Sequence, residues 1–212
     1  MGDPEPSFWW SRRIPVRRRR VEEGPALGRQ PMRRRAMVLG AVAGILSGSV
    51  AGARAINLSE AAPKPFLRLR HAHTGEVMSS RFEVRGRLDP VQVRRLEWFM
   101  RDWREGRSMP IDPHLLRFLA VLRHIAVLEG HEGEILLHSG FRTRRTNDML
   151  RRRGKGAAAN SLHLRAKAAD ISLPGLSSAR LAILARRTRL GGVGRYPGFV
   201  HVDSGRPRHW TG

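Results

Sequence analysis

The stretch Asn160–Gly175, NSLHLRAKAADISLPG, decides the fold, because it sets His163 seven residues before Asp170 in otherwise apolar surroundings. About thirty residues later, Gly198–Gly205 reads GFVHVDSG and repeats the pairing with His201 and Asp203. Seven residues span about 10.5 Å along a straight helix and more than 20 Å along a straight strand. Neither geometry lets His163 and Asp170 touch one ion, so a shared site requires the chain to fold back, most simply at Arg165-Ala166-Lys167. In FVHVD, alternation places Phe199, His201 and Asp203 on one strand face and Val200 and Val202 on the other. Two histidines and an aspartate brought together would leave a fourth tetrahedral position open, the arrangement of a catalytic zinc site.

The elements around these residues follow from caps and periodicity. FLRLRHAHTGEVMSSRFEV alternates about HTGE and predicts a hairpin turning at Thr74-Gly75. Asp89-Pro90 opens a helix that carries Val93, Leu96, Phe99, Met100 and Trp103 on one side and stops at Gly106, and Asp112-Pro113 opens a second that ends at Gly130. EILLHSGF predicts a strand, Thr143 to about Arg153 a short helix, Ala168–Leu173 a strand, and Ser177–Arg189 a helix before the strand through FVHVD. Helices early and short strands late predict an α+β fold with a small, mainly antiparallel sheet and flanking helices.

Composition limits the functional classes. The chain has 212 residues, a formal charge of +22 and no cysteine, so disulfides and thiolate ligands are excluded and any metal is held by nitrogen and oxygen. The positive charge fits an anionic polymer, but the arginines are scattered and show neither a stacking platform nor a recognition helix, which argues against a nucleic-acid binder. Part of the charge belongs to the amino-terminal region. Residues 1–31 lack periodicity and read as a disordered basic extension or a mis-assigned start. Residues 32–55, MRRRAMVLGAVAGILSGSVAGARA, place arginines before a short Gly/Ala-rich apolar run and a small-residue end, the order of an export signal. Arg34-Arg35 gives it a twin-arginine character. Residues 56–212 then form the mature domain, exported or periplasmic and without a membrane span once the signal is removed.

The motifs HSGFRT, SLH with Asp170, and GFVHVDSGRPRHW resemble the zinc-dependent murein peptidases related to D-alanyl-D-alanine carboxypeptidases, the M15-like group that includes the YcbK-type domain. The resemblance covers roughly residues 66–210. It implies the D-Ala-D-Ala carboxypeptidase/hedgehog-like fold, Zn2+ bound by His163, Asp170 and His201, Arg142 beside the substrate, Ser161 in substrate binding, and hydrolysis of peptide bonds in peptidoglycan stem peptides or cross-links. Two positions depart from the usual pattern. Ala166 stands where the family has glycine, at a position of possible positive φ, with a strain cost of order 1 kcal/mol. The acid that precedes the last ligand in the carboxypeptidases is missing from RYPG. Asp203 is the proton acceptor by reach, or alternatively the group that fixes the His201 imidazole, and His209 is expected near the site mouth. These departures leave a catalytically inactive wall-binding domain of the same fold as the alternative. Amino-terminal sequencing of the exported protein is expected to begin at Ile56, and a mature chain that retains SFWWSRR contradicts the leader assignment.

Overall fold

A computed structural model of the protein describes residues 64–154 and 156–212. The extension, the export signal and the cleavage after Ala55 that the sequence predicts lie outside the described residues. Among the described residues nine strands and four helices follow one another: β1 Phe66–His71, β2 Val77–Arg81, β3 Glu83–Val84, β4 Arg87–Leu88, α1 Pro90–Phe99, α2 Pro113–Leu128, β5 Ile135–Ser139, α3 Arg144–Arg152, β6 Ala168–Ser172, α4 Ser178–Thr188, β7 Gly192–Tyr196, β8 Phe199–Asp203 and β9 Arg208–Thr211. Seven strands form one sheet in the order β2-β1-β5-β6-β8-β7-β9, and β3 pairs with β4 apart from it. The sheet is antiparallel except where β1 meets β5 and β7 meets β9, so the fold is α+β with a mainly antiparallel sheet. No helix of the described residues is long and apolar enough to cross a membrane.

Alternation splits the sheet into two faces. Leu67, Leu69, Ile135, Leu137, Ala169, Ile171, Val193, Val200 and Val202 are fully or almost fully buried, in one core with Leu115, Leu119, Leu122 and Ala126 of α2 and Leu181 and Ala185 of α4. The opposite face carries His138, Asp170, Ser172, Phe199, His201 and Asp203. The helices begin where their caps predict: Asp89 accepts from the amides of Val91 and Gln92, Asp112 from His114, Thr143 from Thr146 and Ser177 from Arg180. Burying a cap-started apolar stripe against a sheet stabilises both partners, since neither helix nor strand is stable alone.

The helix expected to run to Gly106 ends at Phe99 instead. The Met100 carbonyl accepts the Phe141 amide at 2.8 Å, and the buried Asp102 carboxylate takes the backbone N–H of Arg104 at 3.2 Å with one oxygen. Its other oxygen takes the N–H and hydroxyl of Thr143 at 2.9 and 3.0 Å. Residues 100–107 are thereby bolted to the segment after β5, a long-range bond that helical periodicity does not encode.

The predicted reversal is present. Leu162–Arg165 forms a single 3-10 turn, Ala166 adopts left-handed backbone angles of φ 49° and ψ 36°, and β6 begins two residues later. The Ala166 N–H bonds the His163 carbonyl and that of Lys167 bonds Leu162, closing the turn. The Ala166 carbonyl accepts the Asp112 amide, which ties the turn to the start of α2. Ala166 is 2% exposed, so a β-branched replacement meets both a forbidden backbone region and a full core. Ala166→Val is expected to lower stability by about 2 kcal/mol or more in urea unfolding; an unchanged midpoint would contradict the reading of this turn.

Candidate metal centre

Antiparallel pairing brings the expected ligands together. Asp170 of β6 lies directly opposite His201 of β8, and the turn at Ala166 returns His163 over both. His163 Nε2 is 3.2 Å from Asp170 Oδ1 and 3.2 Å from His201 Nδ1, and His201 Nδ1 is 2.9 Å from the same Asp170 oxygen. Among the described residues these three side chains form the cluster able to hold a metal ion.

The hydrogen positions follow from the outer partners. His163 Nδ1 sits 2.6 Å from the Gly140 carbonyl and must donate to it, which leaves Nε2 as a lone pair. His201 Nε2 sits 3.1 Å from Asp203 Oδ2 and donates to that carboxylate, which leaves Nδ1 as a lone pair. Two imidazole lone pairs and a carboxylate oxygen therefore converge at about 3 Å, a contact that needs a cation between them, either a proton or a metal ion. Nitrogen and carboxylate donors in this number fit a divalent transition metal with an open position.

The electrostatics of the cluster agree with that reading. Burial holds the His163 pKa down to about 4, so its imidazole is neutral. Burial alone would raise Asp170, but the charges and hydrogen bonds of His163, His201 and Arg142 hold its carboxyl well below the usual carboxylate range. Burial likewise opposes the charged form of His201, yet the hydrogen bonds of Asp170 and Asp203 raise its pKa overall. Burial pushes Asp203 up, and hydrogen bonds from His201, Arg208 and the Gly205 amide outweigh it, so the group stays ionised.

Asp203 meets His201 on the side away from the cluster. It is fully buried, it meets the ring nitrogen of His201 that is turned from the cluster, and both its oxygens are taken by Arg208 at 2.9 and 2.8 Å. The Gly192 and Gly205 amides bond Oδ1 as well. The alternative weighed for this residue, fixing the imidazole, matches its surroundings. His209 lies between Arg208 and Trp210 on β9, and since those two residues face the centre, alternation turns His209 to the other side.

Arg142 and Ser161 are placed more tightly than the sequence indicated. The Arg142 guanidinium pairs with Asp170 Oδ2, its Nε donates to Ser139 Oγ at 2.8 Å, and its backbone N–H bonds the His163 carbonyl at 3.1 Å. Arg142 thus steadies Asp170. The Ser161 hydroxyl oxygen caps the 3-10 turn by accepting from the His163 amide at 3.4 Å.

Sequence reasoning missed β7, β9 and what crosses between them. Gly192 and Gly194 of β7 stand opposite Asp203 and His201. A methyl group at 194 would lie 2.5 Å from the Trp210 ring, and one at 192 would collide with the Arg208 guanidinium and the Asp203 carboxylate. These two bare positions let Arg208 and Trp210 reach over β7, Arg208 to Asp203 and Trp210 to within 5.4 Å of the His201 ring. The Trp210 indole N–H donates to the Tyr196 hydroxyl at 3.0 Å, and Tyr196 stacks on Phe199 at 4.8 Å, which extends an aromatic shelf along the open face. The Gly-x-Gly spacing of GVG beside GRPRHW was the available signal.

The chain is an M15-like peptidase by family. A family model described as Peptidoglycan L,D-endopeptidase MepK matches residues 59–210, and the chain belongs to that family. It is 35% identical over 153 residues to the probable peptidoglycan L,D-endopeptidase MepK of Haemophilus influenzae, an overlap of 71% of this chain and 81% of that protein. With the peptidoglycan L,D-endopeptidase MepK of Escherichia coli K12 the identity is 36% over 152 residues, 70% of this chain and 81% of that protein. With Zn2+ as probe, His163→Ala and His201→Ala are each expected to lose stoichiometric metal in elemental analysis of folded protein, and full zinc content in both variants would place the site elsewhere.

Proposed function

We propose that this protein is an exported zinc-dependent L,D-endopeptidase that hydrolyses peptide bonds in peptidoglycan stem peptides or cross-links. The observation that carries the proposal is the convergence of His163 Nε2, Asp170 Oδ1 and His201 Nδ1 with their outer atoms pinned, since such a donor set is built to hold a cation. Membership of the family and the printed names of the two relatives supply the substrate class. The export signal at 32–55 and the positive charge of the domain agree with work on an acidic polymer outside the cytoplasm. A binding-only domain is less well supported, because the donors meet even with alanine at 166.

His163, Asp170 and His201 would hold a zinc ion, which would supply Lewis-acid polarisation of the scissile carbonyl and lower the pKa of a bound water towards neutrality. The residues of the chain prepare for that chemistry. The Gly140 carbonyl and the Asp203 carboxylate fix the tautomers of His163 and His201, so each presents a lone pair without rearrangement. Arg142 holds Asp170 ionised and oriented, and Arg208 keeps Asp203 from turning toward the cluster. Asp203 is in this account a positioning residue, acting through His201. Phe199, Tyr196 and Trp210 form one wall beside the centre, suited to pack along the aliphatic parts of a peptide.

The test is incubation of purified protein with cross-linked muropeptides, with products read by mass. Cleavage is expected with zinc, and His163→Ala is expected to lose at least about 10³-fold, since each 1.4 kcal/mol of lost transition-state stabilisation is tenfold. Cleavage that survives chelation and His163→Ala unchanged would overturn the proposal. Asp203→Asn separates the two roles considered for that residue. A positioning role predicts zinc affinity weakened about 10- to 100-fold with turnover retained at saturating zinc, whereas unchanged affinity with turnover lost would make it the proton acceptor.

A further inference from the structure

The Asp102 carboxylate joins the backbone at Arg104 to the backbone at Thr143, next to Arg142. One of its oxygens holds the backbone of Arg104 and the other holds Thr143, the neighbour of Arg142, so both arginines are set by a single buried group 2% exposed. The Arg145–Glu105 pair ties the same turn to α3. Their side chains then diverge in use. Arg142 is committed to Asp170. Arg104 lies with its guanidinium carbon 4.2 Å from the Trp103 ring, and Trp103 stacks on His73 at 4.9 Å with 26° between planes. Among the described residues the Arg104 guanidinium has no carboxylate within ion-pair distance.

The platform leads back to the metal ligands. The Ala72 amide bonds the Leu137 carbonyl at 2.8 Å, which sets His73 beside His138, and His138 meets the Ser172 hydroxyl at 2.9 Å on the open face, two residues from Asp170. Burial lowers the Arg104 pKa, the Asp102 charge opposes that, and the charges of Arg142 and Arg153 lower it further, so it lies below the ordinary arginine value. The guanidinium carbon sits over the Trp103 ring, and guanidinium N–H donors match a carboxylate in two parallel hydrogen bonds.

We propose that Arg104, raised on the His73–Trp103 stack, binds a free carboxylate of the peptide substrate on a residue flanking the scissile bond. The assignment rests on the peptidase reading above and deepens it: the site selects peptides that are acidic next to the bond cut. Arg142 pairs with Asp170, which leaves Arg104 as the guanidinium open to a substrate carboxylate.

The test uses a cross-linked muropeptide whose flanking residues carry free carboxylates and two versions in which each is converted in turn to the carboxamide. Wild-type protein is expected to lose about 10- to 100-fold in kcat/KM on one of the amidated probes, the scale of a charge-assisted hydrogen-bonded pair, and mainly through KM. In Arg104→Gln, the preference for acid over amide is expected to fall to about 1 with zinc content and circular dichroism unchanged, and Arg104→Lys should restore part of it. A wild type that cleaves all three probes equally, or a glutamine variant that keeps the full preference, overturns the assignment while leaving the peptidase reading intact. A wild type that cleaves none of them overturns both.

Discussion

Two imidazole nitrogens and a carboxylate oxygen face one another at about 3 Å with their hydrogens committed elsewhere, and the rest of the structure answers to that contact. Left to itself it is unfavourable: three electron-rich atoms in a buried pocket repel unless a cation joins them. The chain holds it by spending backbone and side-chain groups behind it. Gly140 and Asp203 take the outer N–H of each ring, Arg142 takes the outer oxygen of Asp170, and Arg208 locks Asp203 in turn. The centre is thus a pair of shells. The inner one would hold a metal, and the outer one fixes which atom of each residue points inward.

The fold serves this arrangement through two local devices. The left-handed turn at Ala166 reverses the chain between His163 and Asp170, and alanine accepts the strain because the turn is closed by its own hydrogen bonds and tied to α2. The bare β7 positions Gly192 and Gly194 let β9 contribute side chains across an intervening strand. Without them Arg208 would be cut off from Asp203, and Trp210 from the edge of the site. The open face then offers an aromatic wall on the β7–β9 side and arginines on the side of residues 100–107 and 142.

Much of this was legible in the sequence because the signals were local. The seven-residue step from His163 to Asp170 forced a reversal, alternation in FVHVD put His201 and Asp203 on one face, and Asp-Pro and Ser caps marked where helices begin. The illegible parts were non-local. The first helix reads as continuing to Gly106, yet it stops at Phe99 because Asp102 bonds Thr143 forty-one residues away. Asp203 shares a face with His201, which placed it near the metal by reach, but the face alone could not tell which ring nitrogen it would meet. Arg208 decided that, from a tail that gave no strand signal of its own, and β7 escaped notice because two glycines in five residues read as a break.

The central claim is that His163, Asp170 and His201 form a zinc centre with His201 bound through Nδ1. The most direct measurement is a crystal structure of zinc-loaded protein with anomalous data on both sides of the zinc edge. The account predicts one zinc peak bound by His163 Nε2, His201 Nδ1 and an Asp170 oxygen at about 2.0–2.2 Å, with Asp203 still bonded to His201 Nε2. A zinc peak away from these three residues, or coordination by Asp203 in place of Asp170, would contradict it.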